Sequence, residues 1–206
     1  MIAHSAEHGL TDYWGWATGL RGWAMAQLGR SEEGIARQRE GLAAFSATEA
    51  LLRPYFLCLL AETWTETGRL DEGLNALTEA LADADEHDLR FYEAETHRLK
   101  GELLSKQDDS NAAEAQSCFE RAIDIARTQS AKSLELRATM SLARLLRNTV
   151  RRDEARAMLA EIYSWFTEGL HTPALSDAKA LLDELTSKPS APRRSNKSRR
   201  DPSRPV

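Results

Sequence analysis

The residues of this chain most able to do chemistry are five histidines, two cysteines and a handful of adjacent carboxylates, so their spacing is the first question. His4, His8, His87, His97 and His171 match neither His-Glu-x-x-His nor any other metal-ligand spacing. His4 and His8 stand four apart and can share a helix face, but at a terminus where a helix frays. Cys58 and Cys118 each lie in an apolar-periodic stretch with no histidine beside them to activate a thiolate. Two lone cysteines also make neither a disulfide framework nor a zinc pattern. Gly15, Gly19 and Gly22 are followed by no Gly-Lys-Ser/Thr, so they are not a phosphate loop. Paired carboxylates such as Asp71-Glu72 and Asp153-Glu154 fall in the first turns of helices, where attraction to the helix N-terminus is reason enough for them. The expectation is a non-enzyme: no catalytic residue, no cofactor, no metal.

The elements that position whatever function remains are helices. Ala, Leu, Glu and Arg are abundant, and Val150 and Val206 are the only valines, which disfavours a sheet. A length of 206 residues allows one substantial core or one short solenoid. The net charge of −5 hides a division: residues 188–206 hold seven Lys/Arg against the single Asp201, while residues 1–187 hold 20 basic and 31 acidic groups. An acidic body is a poor surface for a nucleic-acid backbone. The opening MIAHSAEHGL lacks a basic-then-apolar leader. No apolar run approaches the ~18–20 residues of a membrane span. These features predict a cytoplasmic protein with no membrane partner.

The helices repeat. Four segments share one pattern of small and large apolar positions: GRSEEGIARQREGL (29–42), GRLDEGLNALTEAL (68–81), SNAAEAQSCFERAI (110–123) and VRRDEARAMLAEIY (150–163). Their small residues Gly34, Gly73, Ala115 and Ala155 are spaced 39, 42 and 40 apart, and Gly41, Ala80, Ala122 and Ile162 follow seven residues later. Upstream of each lies a partner helix with a small residue near its middle, Gly22, Ala61, Gly101 or Ala143. A small residue at a helix crossing lets two backbones approach, and one helix pair cannot bury its own apolar face, so neighbouring pairs must stack. Gly29 and Gly68 predict left-handed turns between helices A and B. Asn111 with Glu114 predicts a capping box opening the third B helix, and Thr172-Pro173 an N-cap and N1 pair opening a last helix that runs to about Thr186. The fold class is all-α: a right-handed α-solenoid of about four helix pairs plus a closing helix.

This pattern resembles the tetratricopeptide repeat, and the second copy fits best, with Ala61, Gly68, Gly73 and Ala80 at the consensus small positions. The first and fourth copies depart at one or two positions, and the third carries the insertion KQDDSN (106–111). The runs RPYFLCLLAETWTETGRLDEGL, YEAETHRLKGELL and AKSLELRATMSLARLLRN further resemble the C-terminal repeat tail of bacterial multidomain signalling ATPases and adenylate-guanylate cyclase-type regulators. The likeness covers about residues 5–186 and implies a regulatory, protein-binding module. In tetratricopeptide arrays the A helices line a concave groove. Carried over, its residues are Trp16 and Trp23, then Tyr55, Cys58, Glu62 and Thr65, then Glu95, Arg98, Glu102 and Lys106, then Arg137, Met140, Arg144 and Arg147. Such a groove runs from aromatic through acidic to basic. It suits an extended peptide, a protein partner or an adjoining domain of a larger protein, the arginines holding a carboxylate. The other reading of the same residues is a solvated face on which Glu and Arg neutralise one another.

The domain organisation expected is a repeat domain over 1–187 and a disordered basic tail over 188–206, rich in Pro, Ser and Arg. The tail is either a solubilising extension or a weak electrostatic contact for nucleic acid. AHSAEHGL (3–10) resembles the end of a B helix and leads into the aromatic helix of Tyr13, Trp14, Trp16 and Trp23. Three readings stay open there: a fragment of a longer protein, self-association through the aromatic helix, or local burial. The alternative function is that of a parent regulator, a nucleotide-dependent ATPase or cyclase of which this chain is one part.

Overall fold

Segments with apolar residues every three to four positions close into helices, and several of them end at a glycine or a single left-handed residue. The computed structural model describes residues 11–45 and 51–187, which form nine α-helices and, among the described residues, no strand. They are α1 (Thr11–Gln27), α2 (Ser31–Ala43), α3 (Arg53–Glu66), α4 (Leu70–Glu86), α5 (Glu93–Gln107), α6 (Ala112–Thr128), α7 (Lys132–Leu146), α8 (Arg152–Ser164) and α9 (Pro173–Thr186). The segment 3–10, His4, His8 and the tail 188–206 lie outside the described residues.

Consecutive helices pack as A/B pairs, α1 with α2, α3 with α4, α5 with α6 and α7 with α8. Each B helix also packs on the next A helix, successive A helices touch each other, and α9 closes the stack against α8 and α7. This is a helix-pair solenoid. The small residues singled out by the repeat meet at the A/B crossings. A Cβ on Gly22 would stand 2.6 Å from the Gly34 carbonyl oxygen, and one on Gly101 would stand 3.0 Å from that of Ala115. Ala61 faces Gly73 in the second pair, at 3.5 Å by the same measure.

The A/B turns follow the glycines. Gly29 (φ +82°) and Gly68 (φ +76°) are left-handed, and the residue after each reaches back across the helix end: Arg30 N–H donates to Met25 O at 3.0 Å and Arg69 N–H to Trp64 O at 2.8 Å. The same closure joins B to the next A without glycine, through Asp88 (φ 53°) and Ser130 (φ 55°). There Leu89 N–H donates to Ala84 O and Ala131 N–H to Ala126 O, both at 2.8 Å. Two expected caps are corrected. Asn111 makes no side-chain cap bond. The insertion instead turns through a 3₁₀ segment, Asp109–Asn111, whose entry is held by the Asp108 carboxylate accepting from Ser110 N–H at 2.7 Å. The carboxylate caps the 3₁₀ turn, and α6 itself opens without a side-chain cap bond. Pro173 does open α9, but Thr172 caps it only by its extended backbone (ψ 150°) and makes no side-chain bond.

The core is two large adjoining apolar clusters and a small third one of Ala94, Ile125 and Ala126. Of the large ones, the first runs from Ile35 through Leu57, Leu60, Leu77 and Leu99 to Leu103; the second runs from Leu104 through Phe119, Leu142 and Leu159 to Leu185. Leu103 and Leu104 stand side by side on α5, and Leu74 packs against both clusters.

Candidate functional site

Stacking at a 39–40 residue period sets residues one repeat apart side by side on neighbouring A helices. Trp23, Glu62, Glu102 and Ser141 form one such column on α1, α3, α5 and α7, separated by 39, 40 and 39 positions. Gln27, Glu66, Lys106 and Leu145 form the next, with the same separations. Side-chain bonds span these columns: Gln27 Nε2 donates to Glu66 Oε1 at 3.1 Å, and Ser141 Oγ to Glu102 Oε1 at 2.8 Å.

The two columns bound a cleft of about 310 Å³ between α1, α3 and α5, whose walls include Trp23, Glu62, Glu102 and Lys106. A second, of about 630 Å³ between α5 and α7, shares Glu102 and Lys106 and adds Ser141, Arg144 and Arg147. A third, of about 300 Å³, shares Ser141 and Arg144 and is closed by Arg98, Arg137 and, from α9, Asp177. Neighbouring clefts share wall residues, so the three adjoin in a row along the A-helix face and together make up its channel. A separate cleft of about 440 Å³ opens on the B side between α2, α3 and α4, where Arg39 lies over the Trp64 ring at 5.2 Å and Arg53 is bound to Glu79 and Asp83.

Beneath the channel lies a buried ionic group. Glu95 is 1% exposed and would be costly as a lone charge. Arg98 holds it with two bonds, Nε to Oε2 at 2.9 Å and Nη2 to Oε1 at 2.6 Å, and reaches Glu102 with Nη1 at 2.5 Å. Arg137, one period after Arg98, adds an ion pair to Glu95 at 2.7 Å. Burial alone would lower the Arg98 pKa, but Glu95, Glu102 and Glu62 outweigh it and the guanidinium is held more firmly protonated than usual. Glu62 is the exception in the group. It makes no hydrogen bond or ion pair among the described residues, and burial, reinforced by Glu95, pushes its carboxyl above the usual range.

The expected groove residues are thus placed as follows. Glu62, Glu102, Arg137, Arg144 and Trp23 line the channel; Glu95 is buried beneath it, and Arg98, though 5% exposed, reaches the third cleft. Lys106 and Arg144 are exposed and make no ion pair among the described residues, whereas Arg147 stands 3.6 Å from Glu184. Trp16 packs against Tyr13, with ring centroids 5.2 Å apart. Tyr55 stands edge-on to Tyr92 at 5.0 Å. Cys58 is core: its thiol is within 3.2 Å of the Thr96 hydroxyl, and burial pushes its pKa up to about 12. Met140 is 5% exposed yet reaches the third cleft, and the Thr65 hydroxyl turns back to donate to Ala61 O at 2.7 Å. Ser141 and Asp177 were not foreseen. Ser141 lies one period from Glu102, a spacing that points to it; Asp177 sits on the closing helix, which has no counterpart in the repeat. Among the described residues no group of three or more His, Cys, Asp or Glu is placed to hold a metal, and no helix is long and apolar enough to cross a membrane.

No protein-family model and no curated protein matches this sequence. Solved structures do. BtubC (BKLC) from P. vanneervenii superposes with a TM-score of 0.74 at 16% identity, over 89% of this chain and 77% of that one. Two structures of TPR-like repeats attributed to a kinesin light chain of Podosopora anserina superpose with TM-scores of 0.64 and 0.60, at 15% and 14% identity, over 82% of this chain and 83% and 92% of theirs. The fold is therefore a tetratricopeptide-like solenoid.

Proposed function

We propose that this chain is a non-catalytic protein-interaction module that holds an extended, acidic segment of a partner along its A-helix face. The observation that carries the reading is that Lys106 and Arg144, both exposed and free of ion pairs among the described residues, line the 630 Å³ cleft in the row along the A-helix face. A guanidinium and an ammonium without internal partners are donors for a guest carboxylate. An extended guest fits a channel walled by parallel helices. The resemblance of RPYFLCLLAETWTETGRLDEGL and its companion runs to repeat tails of bacterial signalling proteins supports a regulatory or scaffolding role, in the cytoplasm, within or beside a nucleotide-dependent regulator. Of the arginine stripe, Arg137, Arg144 and Arg147, it is Arg144 that in this reading receives the acidic group, since Arg137 is paired with Glu95 and Arg147 with Glu184.

The test is selection of a displayed random dodecapeptide library on the full chain, followed by fluorescence anisotropy of the enriched peptides. The expected result is enrichment of Asp or Glu, with affinity falling at least tenfold in Lys106→Glu/Arg144→Glu and declining with added salt. Enriched peptides that bind the double variant as tightly as the parent chain overturn the reading.

A further inference from the structure

The ionic group under the channel leaves one carboxylate unpaired among the described residues. Three carboxylates, Glu62, Glu95 and Glu102, face two guanidiniums, Arg98 and Arg137, and both guanidiniums are bound to Glu95 or Glu102. Glu62 is the unpaired one. It is half-buried, unpartnered among the described residues, and lines the 310 Å³ cleft between α1, α3 and α5. Of the other acids there, Glu66 accepts from Gln27 and Glu102 from Arg98 and Ser141. Across the cleft stands Trp23. Its indole Nε1 is buried and without a hydrogen-bond partner among the described residues, and the residue lines the same cleft as Glu62. Lys106 borders the cleft but makes no ion pair with Glu62.

We infer that this cleft is a subsite for a basic side chain of the bound peptide, its cation placed between the Trp23 ring and the Glu62 carboxylate. The inference rests on the peptide-binding reading above and gives it a polarity. A guest lysine or arginine gives Glu62 the ion-pair partner it lacks among the described residues, and the aromatic wall adds attraction for a cation held over a ring. Burial of Glu62 strengthens the contact, because a half-desolvated carboxylate has less water to give up than an exposed one. The charge order along the channel then fixes the guest. Glu62 on α3 and Arg144 on α7 are two A-helix steps apart, ~20 Å at usual interaxial distances, which an extended chain covers in about six residues. The partner segment carries a Lys or Arg about six positions from an Asp, Glu or terminal carboxylate.

The dodecapeptide library, selected in parallel on the full chain, on Glu62→Gln and on Lys106→Glu/Arg144→Glu, tests this. The expected outcome on the parent chain is a basic residue about six positions from an acidic one. On Glu62→Gln the basic preference disappears while the acidic one persists, and the parent's peptides lose about tenfold in affinity. Glu62→Gln keeps the side-chain volume, and its thermal melt verifies that it folds. An acidic preference with no basic partner on the parent chain overturns the inference and leaves the peptide-binding reading intact. So does a basic preference that survives Glu62→Gln. Peptides indifferent to Lys106→Glu/Arg144→Glu overturn both.

Discussion

A buried glutamate, Glu135, and a half-buried one, Glu62, answer the same physical problem in opposite ways, and pH separates them. Burial pushes the Glu135 carboxyl up, but hydrogen bonds from Lys132 at 2.7 Å and Arg127 at 2.7 Å outweigh it, and its pKa lies below the ordinary value of 4.5. Glu62 has the burial without the bonds, and its pKa lies above 4.5. A carboxyl with a depressed folded-state pKa adds stability that is present above the unfolded value and lost as pH falls through the folded one. A raised one adds stability that is present below the unfolded value and lost as pH rises through the folded one. Glu62→Gln is therefore expected to gain Tm relative to the parent chain as pH rises from about 4 to 7, and Glu135→Gln to lose it over the same interval. Parallel Tm profiles for Glu62→Gln and the parent contradict the assignment. The groove register, carried over from the repeat, already pointed to Glu62 but also to Cys58 and Glu95. An inward stripe on a helix of 3.6 residues per turn is divided between the open channel and the contact with the next A helix, and sequence register alone does not separate them. Contacts one period apart, such as Gln27–Glu66 and Glu102–Ser141, do separate them once the helices are stacked.

At the scale of elements, the sequence pattern was closest to the structure where backbone geometry demands a particular residue. The A/B glycine turns and the small-residue crossings are required by φ and by distance, so they show in composition. The B-to-A closures at Asp88 and Ser130 and the cap at Asp108 use residues that many other positions also carry, so they do not. The crossings also differ in kind, which makes a test. At Gly22 an added Cβ meets backbone, the Gly34 carbonyl at 2.6 Å and the Gln38 nitrogen at 2.7 Å. At Gly73 it meets a side-chain tip, Leu103 Cδ2, at 2.5 Å. Backbone on both sides cannot yield without spreading α1 from α2, whereas a leucine can change rotamer. Gly22→Ala is expected to cost about 3 kcal/mol in urea unfolding, at the upper end of overpacking, and Gly73→Ala about 1 kcal/mol, since better helix propensity offsets part of its clash. Equal losses at the two sites would mean that the α1/α2 crossing is softer than its carbonyl-to-Cβ distance implies.

For the whole molecule, contacts in a solenoid pass only between neighbours, so stability is a chain of local terms rather than one sum. The closing helix α9 packs Leu175, Ala178, Leu181 and Leu185 on α7 and α8. Arg152 of α8 fixes its end, donating to Leu185 O at 3.2 Å and Ser187 O at 3.0 Å. These leucines belong to the second apolar cluster, while the first, from Ile35 to Leu103, includes no residue of α9. Leu181→Ala is expected to cost about 2–5 kcal/mol as a large-to-small change at a buried site. The distribution of that loss is the informative part. Native-state hydrogen exchange should show protection falling most in α7, α8 and α9 and least in α1 to α4, with α5, which carries both Leu103 and Leu104, in between. A uniform loss from α1 to α9 would mean that the two clusters open as one unit, coupled through Leu74 and the Leu103–Leu104 step. The channel would then be rigid along its whole length rather than independently stable at its aromatic and basic ends.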